Sequence, residues 1–190
     1  DDHGGGIAVL NGQLVLINTT VDDNEAGIYG GGIYQLLGSL TISDSVIQDN
    51  STPVRGGAIY LSMGGFTMSD SLVLGNDAGD DGGGLFLLPG GALVTISGNT
   101  FDSNSAGDNA GCLYADDFNG QIYQNVFQDC FAGDLGGGAH LASTNGVTLF
   151  YNNVLNACEA DQGAALYTTS GATQVVNNTF FDSQINDVNY

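Results

Sequence analysis

The stretch "GGGIYQLLGSLTISDSVIQDN", Gly30 to Asn50, decides the fold. A glycine triplet opens it, and an apolar β-type run follows. A second run, "LTIS", alternates apolar and polar residues and ends in Asp-Ser before a third short run reaches Asn50. The pattern then returns. Glycine-rich starts recur as "GGGIAV" at Gly4, "GGGIYQ" at Gly30, "GGAIYL" at Gly56 and "GGGLFL" at Gly82. They continue as "AGCLYA" at Ala110, "GGGAHL" at Gly136 and "GAALYT" at Gly163. The residue after each small triplet is Ile7, Ile33, Ile59, Leu85, Leu113, Ala139 or Leu166, so the steps are 26, 26, 26, 28, 26 and 27 residues. A second motif follows each start: "LVLINTTVDDN", "LTISDSVIQDN", "FTMSDSLVLGN" and "VTISGNTFDSN", drifting later to "GQIYQNVFQDC", "TLFYNNVLNAC" and "TQVVNNTFFDS".

No segment carries a helical period of useful length. An all-β period of 26 residues is too short for a four-stranded propeller blade and lacks the spacing of leucine-rich repeats. It suits one coil of a parallel β-helix, with about three short strands and three corners. The chain therefore reads as all-β, a parallel β-helix solenoid of about seven coils of 26–28 residues, forming a single domain over residues 1–190. Seven coils at about 4.8 Å each make a rod on the order of 34 Å long. Neither end reads as the polar cap that solenoids need, so the array is expected to be an excerpt of a longer one or to stack end to end.

Aligning the repeats predicts columns. One inward column is Leu14, Leu40, Phe66 and Val94; the next is Leu16, Ile42, Met68, Ile96, Ile122, Phe150 and Val175. A third is Val21, Ile47, Val73, Phe101, Phe127, Leu155 and Phe180. Burial of these apolar columns drives folding. Between two of them runs a polar column: Thr19, Ser45, Ser71, Asn99, Asn125, Asn153 and Asn178. Stacked Asn side chains can bond to one another and to corner backbone groups, which is a structural role.

Charge narrows the partners. Arg55 is the one basic residue other than histidine, against 21 acids, for a formal net charge of −20. Nucleic acid is excluded as a partner, because phosphate contacts need Lys and Arg. An anionic membrane surface is equally unsuited, and no apolar run is long enough to span a bilayer. Cations, neutral sugars or a salty medium fit such a surface.

The motifs "GGAIY" (Gly56 to Tyr60) and "FDSN" (Phe101 to Asn104) resemble the paired GGA[ILV] and FxxN repeats of polymorphic outer-membrane protein adhesins. These belong to the wider group of right-handed β-helix surface proteins and autotransporter passengers. The resemblance covers all seven repeats and implies a right-handed coil. It also implies an extracellular, secreted or cell-surface location and a structural or adhesive role. Carbohydrate or a host cell-surface protein is then the expected partner, with end-to-end self-association as another. The other reading is a carbohydrate-active β-helix, a polysaccharide lyase, hydrolase or tailspike-like depolymerase; a third is a filament subunit. Arg55 alone is inadequate for the lyase chemistry, and the Asp80–Asp81 pair lacks the partners of the hydrolase set, so the chain is expected not to be an enzyme.

Four sets of residues are candidates for chemistry. The first is an acidic corner, Asp80, Asp81, Asp108, Asp134 and Asp161, where stacked carboxylates would take Ca²⁺ or splay into water. No cofactor other than that ion is suggested. The second is the row Tyr34, Tyr60, Phe86, Tyr114, His140 and Tyr167; if Ile33 and Ile59 point inward, these rings point outward as an exposed sugar-binding or packing strip. The third is the outward set Thr41/Ser43, Thr67/Ser69 and Thr95/Ser97, which resembles an ice-binding face but lasts only three rungs. Last are the cysteines. Cys130 and Cys158 hold the same corner position in adjacent coils, so they form either a disulfide or a pair of stacked free thiols. Cys112 replaces a glycine and fills space.

Overall fold

The computed structural model describes residues 2–142, 147–169 and 171–186. The chain winds as a parallel β-solenoid of seven coils, and every strand pairs in parallel with its equivalents one coil away. In the third coil the strands are Ile59–Ser69, Leu72–Leu74 and Asp77–Ala78. In the fourth they are Leu85–Leu88, Leu93–Ser97, Thr100–Asp102 and Ser105–Ala106. Among the described residues these strands build sheets of twelve, seven and six strands.

Each coil has one corner more than the three expected from the repeat, and the addition lies in the largest sheet. That sheet bends in the middle, so each coil contributes two limbs to it. Ile33–Ser43 and Ile59–Ser69 pass through the bend unbroken, with Leu37 and Met63 at φ 62° and 58°. The fourth coil takes the same bend as a Pro89–Gly90–Gly91 turn. Val94 pairs with Phe66 and Leu85 with Ile59, so nine residues there replace seven; this is the source of the 28-residue step.

Three further corners close each coil, and each is one left-handed residue in a vertical column. The first holds Asn18, Asp44, Asp70, Gly98, Gln124, Asn152 and Asn177; the second holds Asp23, Asp49, Gly75, Ser103, Asp129, Ala157 and Asp182. Asn and Asp dominate because their short polar side chains tolerate positive φ. The third column is glycine in six coils and Ala110 in the fifth. Space as well as φ favours glycine there, and the fifth coil alone accommodates a Cβ, on Ala110. A Cβ on Gly82 would lie 2.6 Å from the Leu85 carbonyl oxygen and 2.9 Å from the Phe86 Cβ.

The expected apolar columns stand in register. Leu16, Ile42, Met68, Ile96, Ile122 and Phe150 are buried, as are Val21, Ile47, Val73, Phe101, Phe127 and Leu155. Where the fifth coil has Gly120 in the Leu40 column, Phe118 is fully buried instead. In the seventh coil, Val175 and Phe180 continue the columns but are 46% and 45% exposed.

Two polar ladders hold the corners. In the first, the Ser71 N–H donates to Asn99 Oδ1 at 3.0 Å, Asn99 to Asn125 at 3.0 Å, Asn125 to Asn153 at 3.0 Å and Asn153 to Asn178 at 2.8 Å. The second runs through the last residue of each "xxDN"-type motif. Asn24, Asn50 and Asn76 each donate backbone N–H and Nδ2 to the Oδ1 of the next, ending on Asn104. Nδ2 groups also bond to strand carbonyls, as Asn76 does to Ile47 at 3.0 Å and Leu74 at 3.1 Å. The carboxamide suits these positions because it offers donors and an acceptor at once. Opposite the second ladder runs a column of small residues: a Cβ on Gly32 would lie 3.0 Å from the Asn50 Cγ.

Asn76→Ala strands the Asn50 N–H inside the coil and takes the side-chain donor from the Ile47 and Leu74 carbonyls, of which Leu74 keeps the Asp49 N–H. Each orphaned group costs about 1–3 kcal/mol, so urea unfolding should show a loss of about 3 kcal/mol. Asn24→Ala, in the half-buried first coil, should lose clearly less.

Candidate functional site

Period-two alternation places the ring row on the outside of the first limb. Ile59 and Leu61 are buried in the core, so Tyr60 between them points out. Tyr34, Tyr60, Phe86, Tyr114, His140 and Tyr167 pair rung to rung. The strip is not the open surface that alternation alone suggests. Tyr34, Phe86 and His140 are only 7%, 2% and 6% exposed. Rung spacing is the reason: rings one coil apart lie face on face. The Tyr34–Tyr60, Tyr60–Phe86 and Phe86–Tyr114 centroids are 5.4, 5.4 and 4.7 Å apart, with planes within 14°. The faces a sugar would stack on are therefore covered by neighbouring rings.

A second column folds over the first from the preceding corner. It holds His3, Tyr29, Arg55 and Asp81, linked by parallel bridges, then Asn109. His3 stacks on both Tyr29 and Tyr34, at 5.2 and 4.7 Å, and Tyr29 stacks on Tyr60 at 4.6 Å. Next in the column, Arg55 Nε donates to Asp81 Oδ2 at 2.9 Å, and Asn109 Nδ2 donates to Asp81 Oδ1 at 2.8 Å. The guanidinium also lies 5.1 Å from the Phe86 ring centre. Arg55 thus neutralises a buried carboxylate and caps an aromatic ring. Sequence reading places Arg55 in a corner and misses this role, whose signal is its 26-residue offset from Asp81.

His140 interrupts the stack. Its ring stands at 72° to Tyr114 and 87° to Tyr167, each about 5.0 Å away. Both ring nitrogens are buried without a hydrogen-bond partner. Burial holds its pKa below the ordinary histidine value, against the opposing pull of Asp81, Asp116 and Asp134. The Tyr114 hydroxyl is pushed up by burial first and then by Asp116 and Asp81. Tyr60 is pushed up by burial and by Tyr29 and Tyr34, with Arg55 opposing.

The acidic corner does not act as one unit. Asp80, Asp108 and Asp134 follow one another, with the Asp108 N–H donating to the Asp80 carbonyl and Asp134 to that of Asp108, both at 2.8 Å. Their link is thus through the backbone, while Asp108 and Asp134 are exposed and Asp80 and Asp161 half-buried. Asp81 leaves the row altogether, because its carboxylate is taken by Arg55 and Asn109. Among the described residues, no three His, Cys, Asp or Glu side chains come together as a group that could hold a metal ion.

The cysteines pair differently from either expectation. Cys112 and Cys130 form the disulfide, with Cα atoms 5.6 Å apart, and Cys158 is a buried free thiol. Comparison of like positions in adjacent coils points to Cys130 and Cys158. The coil, however, closes by placing its small-residue column opposite the asparagine ladder. Both columns carry cysteine in the fifth coil, so the bond forms within that coil. Asn104 Nδ2 then reaches Cys112 Sγ at 3.3 Å, where an asparagine oxygen receives the donor in earlier coils.

A family model described as a right-handed β-helix region matches residues 1–180 of the chain. No curated protein and no solved structure matches it.

The buried histidine gives the molecule an acid-side dependence. Its folded pKa lies below its unfolded value of about 6.5, so as pH falls past 6.5 the unfolded chain takes up the proton first. Stability should fall between pH 7 and the lowered folded pKa. A His140→Phe variant, which keeps a ring in the column, should lose that slope when melting temperature is followed across pH 5–8. An unchanged slope would assign it to other groups.

Proposed function

The chain belongs to the right-handed β-helix family, and from that premise we propose that it is a structural and adhesive element of an extracellular or cell-surface protein. It presents a rigid, repeated surface and performs no catalysis. One observation carries the reading: its chemically distinctive side chains are stacked in columns and bonded to their equivalents one coil away. The asparagines bond to asparagines, the rings stack on rings, and Arg55 bonds to Asp81 one rung on. Such columns suit weak contacts multiplied along an axis, which raise avidity without any single deep site. The likeness to polymorphic outer-membrane adhesins supports the same reading. So does the disulfide, a bond that ordinarily persists in oxidising compartments. A net charge of −20 favours solubility in a cation-rich medium and partners that are cationic or neutral, such as carbohydrate or a cell-surface protein.

A second reading, polysaccharide cleavage, is favoured by one feature: Arg55, Asp81, Tyr114 and His140 lie close together on the outer side of the first limb. The two readings separate in one assay. Protein displayed in many copies on beads should retain a polysaccharide or a cell surface far better than single copies in solution, with no new reducing ends or unsaturated sugar products. Release of such products, lost in Asp81→Asn, would replace the adhesive reading by the enzymatic one.

A further inference from the structure

Three buried cysteines lie on adjoining columns where the fifth and sixth coils meet. Cys130 and Cys158 continue the second asparagine ladder, two residues beyond the paired strand ends Gln128 and Asn156. They repeat one geometry. Cys130 Sγ lies 3.5 Å from the Gln128 carbonyl oxygen, and Cys158 Sγ lies 3.4 Å from that of Asn156. The Glu159 N–H donates to the Cys130 carbonyl oxygen at 2.9 Å, so the two cysteines occupy adjacent rungs. Rungs of a parallel sheet are about 4.8 Å apart, within the Cα separation that a disulfide spans. Cys112 faces Cys130 from the small-residue column, and all three side chains are fully buried. Gly138 occupies the Cys112 place in the sixth coil, and a Cβ there would lie 3.1 Å from Cys158 Sγ.

Cys130 therefore has two partners within reach: Cys112 across its own coil and Cys158 one rung along the axis. We propose that this cluster is an exchangeable disulfide, in which the cross-coil bond Cys112–Cys130 converts to an inter-coil bond Cys130–Cys158. Cys158 first loses its thiol proton to solvent base. Its thiolate attacks Cys130 Sγ, the Cys130–Cys158 bond forms, and the Cys112–Cys130 bond breaks. Cys112 leaves as a thiolate and takes up a proton. One disulfide and one thiol stand on each side, so the step needs no oxidant or reductant.

The consequence is mechanical. In the first state the bond closes one coil. In the second it clamps two coils together along the axis. Burial also sets the trigger. It pushes the Cys158 thiol up to about 11, so the exchange is slow at neutral pH and accelerates in alkali or when the coil interface opens.

The test uses the whole chain. Protein is held for hours at pH 6.5 or pH 9.5 without added thiol, then quenched in acid. It is unfolded with N-ethylmaleimide and cut before aspartates, which places Cys112, Cys130 and Cys158 on peptides 108–115, 129–133 and 134–160. Mass spectrometry should find the 108–115/129–133 link at pH 6.5 and a growing 129–133/134–160 link at pH 9.5. Cys158→Ser should hold the first link at both pH values. Cys112→Ala, which restores the small residue of its column, should form the second link with oxidised glutathione. The proposal falls if the wild type keeps the first link alone at pH 9.5 and Cys112→Ala keeps two free thiols under oxidant.

Discussion

Everything in this molecule depends on parallel pairing in register at one rung spacing. Each residue sits about 4.8 Å from its equivalent in the next coil, so a side chain's main neighbour is a copy of its own position. That rule turns a repeat into columns, and each column must be a residue type that tolerates stacking on itself. Apolar residues satisfy it by burial, rings by face-to-face contact, and asparagine by donating to the next asparagine's oxygen. Carboxylates satisfy it poorly. They stand outward at corners, as Asp108 and Asp134 do, or bond to a cation and an amide, as Asp81 does.

The corners are where the rule is hardest to meet. A left-handed residue turns the strand out of the ladder of backbone bonds, and the amides just beyond it need acceptors inside the coil. The asparagine ladders provide them. Side-chain oxygens from the next coil take the N–H groups of Ser71, Asn99 and Asn125, as others take those of Asn50 and Asn76. The ladders also connect corner to strand, through bonds such as Asn99 Nδ2 to the Met68 carbonyl at 3.0 Å. The coil's cross-section and its axial register are thus set by the same carboxamides.

Much of the fold is legible in the sequence because columns recur at a nearly constant step. The inward rows and the Ser71–Asn99–Asn125 ladder follow from aligning seven copies. What lies across a coil does not follow. The Cys112–Cys130 bond joins two different columns, and only the closed coil shows that the small residues face the second ladder. The ring row illustrates another limit. Alternation gives the direction of Tyr60 and Phe86, while exposure depends on the corner that folds over them and on the faces they cover for each other. For the same reason Asp81 and Asp80, adjacent in sequence, have different roles: alternate residues face different surroundings.

Amide hydrogen exchange at the corners tests most directly that the ladders hold the coils. Amides beside turns ordinarily exchange fast, as they are bound to water. If side-chain oxygens accept them inside the coil, the N–H groups of Ser71, Asn76, Asn99 and Asn125 exchange as slowly as the strand amides of Ile96 and Phe101. Fast exchange at these four residues, with the neighbouring strands still protected, would contradict a ladder-held register.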